Sequence, residues 1–148
     1  MHDRTVRDMR KIPSVQTLAM IAAVALLLIG ALGFVPGFTT HYGKMSFAGH
    51  GSGAQLFGFF QTSVLHNLVH LAFGVVGAVL ARTPEGASRF LLGGGIAYLA
   101  IWVLGVVGAG GWIPVNEADN WLHFLLGLGL IGLGFAASRR AEPEPRPA

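Results

Sequence analysis

Cysteine is absent from the 148 residues, which excludes disulfides, thiol nucleophiles, thiolate metal sites and covalent haem attachment. Charge is nearly as scarce. Asp, Glu, Lys and Arg make up 11% of the chain against 53% hydrophobic residues, too apolar a balance for a soluble domain of this size and one that points to a membrane protein. Also missing are a nucleophile–base pair, a phosphate-binding loop and a substrate-sized cluster of charge, which argues against hydrolase, kinase and nucleic-acid functions. The chain reads as a protein without enzymatic activity. The net charge of +3 does not restore nucleic acid as a partner, because nine of the ten Lys and Arg residues lie in two tails and one short loop. Basic residues beside apolar runs are topology signals.

What the chain does contain is four apolar runs. Val15 to Val35 is uncharged, and 21 residues at about 1.5 Å each span a hydrocarbon core of roughly 30 Å. Pro36-Gly37 ends it. A basic start before an apolar run also fits a secretory signal, but this run exceeds the usual core of about 7–15 residues and more runs follow. It is therefore read as an uncleaved first span, with cleavage near Ala31-Leu32-Gly33 as the alternative. The second span covers 62–81. Thr83-Pro84-Glu85 then supplies an N-cap and a proline at the first helical position for the third span, 88–109, which Gly110-Gly111 breaks. The fourth covers 120–137 and stops at Ser138-Arg139-Arg140.

This divides the chain into a cytoplasmic tail (1–14), a four-span membrane domain (15–137) with a long outer loop (36–61), and a disordered cytoplasmic tail (138–148). The outer loop is rich in Gly and aromatic residues, and Phe47, Leu56, Phe57, Phe59 and Phe60 are expected to lie on the membrane interface. In this arrangement Arg4, Arg7, Arg10, Lys11, Arg82, Arg89, Arg139, Arg140 and Arg146 fall on one side and only Lys44 on the other. Both termini are then cytoplasmic. Trp112 and Trp121 flank the outer ends of spans three and four, where amphipathic rings are favoured.

The apolar runs carry a repeated polar element. Ser63-Val64-Leu65-His66-Asn67-Leu68-Val69-His70 is followed by Leu71-Ala72-Phe73-Gly74, and Asn116-Glu117-Ala118-Asp119-Asn120-Trp121-Leu122-His123 by Phe124-Leu125-Leu126-Gly127. Asn, His and Gly recur at an offset of 53 positions (67 to 120, 70 to 123, 74 to 127). The expected fold is an all-α membrane protein, a bundle of four transmembrane helices formed by two repeated hairpins around a pseudo-twofold axis along the membrane normal. Glycines spread through the spans allow close helix contact.

Ser63 and Asn116 are N-cap residues three positions before His66 and Asp119, so Asp119 reads first as a first-turn acid favoured by the helix dipole. Asn67 with His70, and Asn120 with His123, lie one turn deeper at i, i+3 spacing. Polar groups at that depth face the bundle interior and have partners. One reading pairs Asn67 with His123 and Asn120 with His70 across spans two and four, a clamp that selects register at about 0.6–2 kcal/mol per bond. The protein is then structural, or an interaction partner for a second copy or another membrane protein, with no cofactor.

The competing reading is a site at the outer ends of spans two and four. His66 and His70 are i, i+4 on one face, His123 and Asp119 form the facing pair, and imidazole with carboxylate suits zinc or another divalent metal. The Glu of H-E-x-x-H is lacking, so metalloprotease chemistry has no support. A b-type haem between helices and a proton or small-ligand relay, with a transport role, are further forms of this reading. Tyr98 and Trp102, on one face of span three, are read as filling the core or donating to a backbone carbonyl.

The run Phe47-Ala48-Gly49-His50-Gly51-Ser52-Gly53-Ala54, then Leu56-Phe57-Gly58 and Phe60-Gln61, then Leu65-His66-Asn67-Leu68-Val69-His70, with Ala118-Asp119-Asn120-Trp121-Leu122-His123, resembles small bacterial four-helix membrane proteins of the domain-of-unknown-function family 4383. The resemblance covers nearly the whole chain except the two tails. It implies a four-span protein of the cytoplasmic membrane and brings no activity, substrate or catalytic residue with it.

Overall fold

The computed structural model describes residues 13–108, 111 and 114–138. The basic tails, Trp112 and the break at Gly110 lie outside these residues. Four α-helices dominate: α1 (Val15–Leu32), α2 (Val64–Leu80), α3 (Pro84–Val106) and α4 (Glu117–Ser138). Each starts where a local hydrogen bond satisfies a first-turn N–H. Ser14 Oγ accepts from Thr17 N–H at 3.1 Å, Ser63 Oγ from His66 N–H at 3.1 Å, and Thr83 Oγ1 from Gly86 N–H at 3.1 Å. At α4 the cap is reciprocal: Asn116 Oδ1 accepts from Asp119 N–H at 3.0 Å, and Asp119 Oδ2 accepts from Asn116 N–H at 3.1 Å.

Helix α1 ends at Leu32, earlier than Pro36-Gly37 predicts. The reason is tertiary. The Thr39 hydroxyl donates to the carbonyls of Leu32 and Gly33, at 3.2 and 3.1 Å, and so supplies partners for the last turn.

Three helices are long and apolar enough to cross a membrane, over Val15–Leu32, Pro84–Val106 and Glu117–Ala136; α2 is apolar and has 17 residues. Large apolar side chains such as Ile21, Leu28, Val76, Ile96, Leu125 and Phe135 are exposed along all four helices, a surface suited to contact with lipid.

The segment between α1 and α2 is not purely irregular. Strands β1 (Thr39–Thr40), β2 (Gln55–Leu56) and β3 (Phe60–Gln61) form a small antiparallel sheet in sequence order, with Thr39 opposite Leu56 and Leu56 opposite Phe60. The fold is therefore helical with a minor sheet rather than wholly α. Phe47 and Phe59 are exposed, whereas Leu56, expected with them at the interface, is buried and lines a cavity beside the helices.

Helix α1 packs along α2 and α3 along α4, and α1 also packs against α3; α2 and α4 do not lie lengthwise against each other. The hairpins close at glycines. A Cβ at Gly33 would strike the Asn67 amide, and one at Gly105 the Asn120 amide. Further along, Leu27 covers Gly74 and Leu99 covers Gly127, so that an added Cβ would meet leucine atoms at 2.6 and 2.7 Å. The tightest apolar core lies toward the opposite end, where Ala19, Ala23 and Leu26 of α1 meet Ala81, Ala87, Phe90 and Leu91.

Candidate functional site: a three-histidine cluster

His66 occupies the first turn of α2 and His70 the next. Residues four apart on a helix differ by about 40° in direction, so the two rings face the same way. Their centroids are 4.6 Å apart. His123, from the second turn of α4, brings its ring to 6.3 Å from that of His66. One potential ligand nitrogen from each of the three residues lies within 4.8 Å of the others. Tyr98 of α3 lies beside His123 with a centroid separation of 5.2 Å.

Two cavities meet at this cluster, and both are lined by all three histidines and Tyr98. The larger, about 200 Å³, is otherwise walled by apolar residues including Leu26, Leu65, Phe73 and Ile101. The smaller, about 70 Å³, lies under the sheet, against Leu56, Phe60, Gln61, Asn67 and Asp119. Among the described residues five buried polar atoms have no hydrogen-bond partner: Nδ1 of His66, His70 and His123 and Nδ2 of Asn67 at the cavities, and Oδ1 of Asn120 outside them.

The asparagines do not reach across. Asn67 is buried, its Oδ1 accepts from the Thr62 hydroxyl at 2.6 Å, and its amide sits over Gly33 of its own hairpin. Asn120 sits over Gly105 in the same way. The expected Asn67–His123 and Asn120–His70 pairs are accordingly not among the hydrogen bonds of the described residues. At i, i+3 spacing Asn67 points about 60° away from His70, enough for one to face α1 and the other the cavity.

Asp119 lies outside the group of three histidine nitrogens and takes the first-turn part at α4. Its Oδ2 accepts from Gln61 N–H at 2.9 Å as well as from Asn116 N–H. The buried carboxylate thus fastens β3 to the start of α4 and holds the sheet over the cluster. The Gln61 side chain continues the attachment, donating to the carbonyls of Ser52 at 2.7 Å and His50 at 3.0 Å, while the Ser52 hydroxyl donates to the Thr62 carbonyl. His41 and His50 are exposed loop residues, and the Trp102 ring packs at a tilt against Phe124 with centroids 4.8 Å apart.

A family model described as "Domain of unknown function (DUF4383)" matches residues 16–136. The chain belongs to the DUF4383 family. No curated protein and no solved structure matches it. The DUF4383 match spans the three histidines, both asparagines, Asp119 and the whole sheet. Sequence reasoning named six of the polar residues gathered at this end of the DUF4383 protein and read Tyr98 as a core residue, but gave no part to Gln61 or Thr62. Tyr98 carried a readable signal, being the lone hydroxyl midway along an apolar helix. Gln61 and Thr62 act from a loop and carried none.

Proposed function

We propose that this DUF4383 protein is a non-enzymatic, four-span protein of the bacterial inner membrane, both termini cytoplasmic, that binds a ligand in the histidine-lined chamber at the outer ends of α2 and α4. The carrying observation is that four residues lining one pair of cavities, His66, His70, His123 and Asn67, each hold a buried polar atom without a partner among the described residues. A lock between helices is expected to satisfy its own polar groups, since an unpaired one in an apolar medium costs several kcal/mol. A binding site leaves them for a partner from outside the chain.

Four spans are supported by the three long apolar helices together with α2, whose 17 residues meet the lower end of the roughly 17–25 that cross a bilayer. The distribution of Lys and Arg supports the orientation. Descent of the two hairpins from one unit is supported by matched contacts. Leu27 on Gly74 and Gly33 under Asn67 recur as Leu99 on Gly127 and Gly105 under Asn120, displaced by 72 positions in the first helix of each hairpin (27 to 99, 33 to 105) and by 53 in the second (74 to 127, 67 to 120).

The test exploits the difference between a lock and a chamber. In protein stripped of bound ions by chelator dialysis, replacing His70 and His123 by leucine, of similar volume, removes two unsatisfied imidazoles. The stripped double variant is expected to be at least as stable as the stripped parent, with a gain of up to about 1–3 kcal/mol per relieved group, read from reversible unfolding in mixed micelles. A double variant less stable than the stripped parent would favour the structural lock.

A further inference from the structure

We propose that His66, His70 and His123 together bind one divalent transition-metal ion of the zinc class, an inference that rests on the chamber being a binding site. Three neutral imidazoles are a sufficient donor set for zinc when a fourth position is left to water or another small ligand. Two of the donors stand one helical turn apart on α2 and the third faces them from α4, so the ion would bridge the two hairpins.

The distances are those of a loose cradle. In a tetrahedral site with metal–nitrogen bonds of about 2.0–2.1 Å the nitrogens lie about 3.3–3.4 Å from one another, against an upper separation of 4.8 Å here. Binding thus requires the rings to close by up to about 1.5 Å, within the reach of side-chain rotation beside two cavities. Each ring already carries a buried Nδ1 without a partner among the described residues. Neutral imidazole has one donor and one acceptor nitrogen, and three such rings meeting at one point cannot all satisfy each other.

The surroundings favour a cation. Among the described residues no Lys or Arg lines either cavity, so none of them sets a fixed positive charge against an ion there. Asp119 reaches the smaller cavity with its Oδ2 held by two backbone N–H groups, and stands near the cluster without being required as a ligand. With no cysteine in the chain, thiolate-selecting metals have no anchor, and imidazole suits zinc, nickel, copper(II) or iron.

The experiment uses the full chain, purified without a histidine tag, stripped by chelator and titrated with Zn²⁺ against a competing fluorescent chelator. One ion per chain is expected, with a rise in thermal stability on loading. Single His66→Ala, His70→Ala and His123→Ala variants should each weaken binding at least about 100-fold, the upper end of what losing a mere second-shell partner costs. His50→Ala, in the exposed loop, should leave it unchanged. Should an alanine variant fail to fold, the corresponding leucine variant serves in its place. No zinc uptake at saturation, or uptake that survives all three substitutions, would overturn the metal assignment. If zinc is refused while the stripped His70→Leu, His123→Leu protein is as stable as its parent, the metal alone is rejected and the chamber stands. A stripped leucine variant that is destabilised rejects the chamber itself.

Discussion

Alanine at position 33 is expected to destabilise the protein by about 1–6 kcal/mol, although alanine is the better helix former. Gly33 follows the last residue of α1 with helical φ and ψ of −57° and −24°, a conformation open to alanine, and inside a helix a Gly→Ala change gains about 0.5–1 kcal/mol. Here the added methyl would overlap the Asn67 amide. That amide has nowhere to go, because Asn67 is buried and held by Thr62. Either α1 moves off α2, an overpacking cost of about 1–3 kcal/mol, or Asn67 also gives up its bond, leaving buried polar atoms unpaired at about 1–3 kcal/mol more. Gly105→Ala should behave alike, through Asn120. Gly93 and Gly129 are the controls: an added Cβ at either meets nothing within 4 Å, so alanine there should be stabilising. Unfolding in mixed micelles reads all four. Equal effects at 33 and 93 would contradict the close approach of α1 and α2.

Arginine at position 96 is expected to cost about 2.5–3.5 kcal/mol, the penalty for that charge at the centre of a membrane helix. Ile96 is 62% exposed near the middle of α3. Were that surface facing water, replacing an exposed isoleucine would fall within about 0.5 kcal/mol of neutral. The two environments therefore differ by several-fold in the same measurement, made as membrane-insertion efficiency in a glycosylation or protease-protection assay. Insertion unaffected by Ile96→Arg would contradict lipid contact along this face.

The parts legible in the sequence are those decided locally. Helix positions follow from uninterrupted apolar runs, and the starts of α2, α3 and α4 follow from Ser63, Thr83 and Asn116, because a cap acts within three residues. The same local logic put Asp119 in a capping role, and its bond with Asn116 agrees. What was not legible depends on how far each helix is turned about its axis. The direction of Asn67 is tied to the gap left by Gly33 on another helix, and a rotation of a few tens of degrees separates an amide that crosses to α4 from one that stays in its own hairpin. The three histidines gather because the asparagines face the other way. The early end of α1 and the two-residue strands were equally hidden, since both depend on partners at a distance, Thr39 for the last carbonyls of α1 and Gln61 for Asp119.

The claim on which the rest depends is that the outer ends of α2 and α4 face each other across a small chamber. The natural lack of cysteine makes this directly measurable in a His70→Cys, His123→Cys variant treated with a short, rigid bis-maleimide in membranes. A protease site placed in the loop between α3 and α4 then separates residue 70 from residue 123 in the chain. The account predicts that the two fragments stay joined after cleavage, and that they separate when the second cysteine is moved to position 125, on an exposed face of α4. Fragments that separate in the 70/123 variant would contradict it.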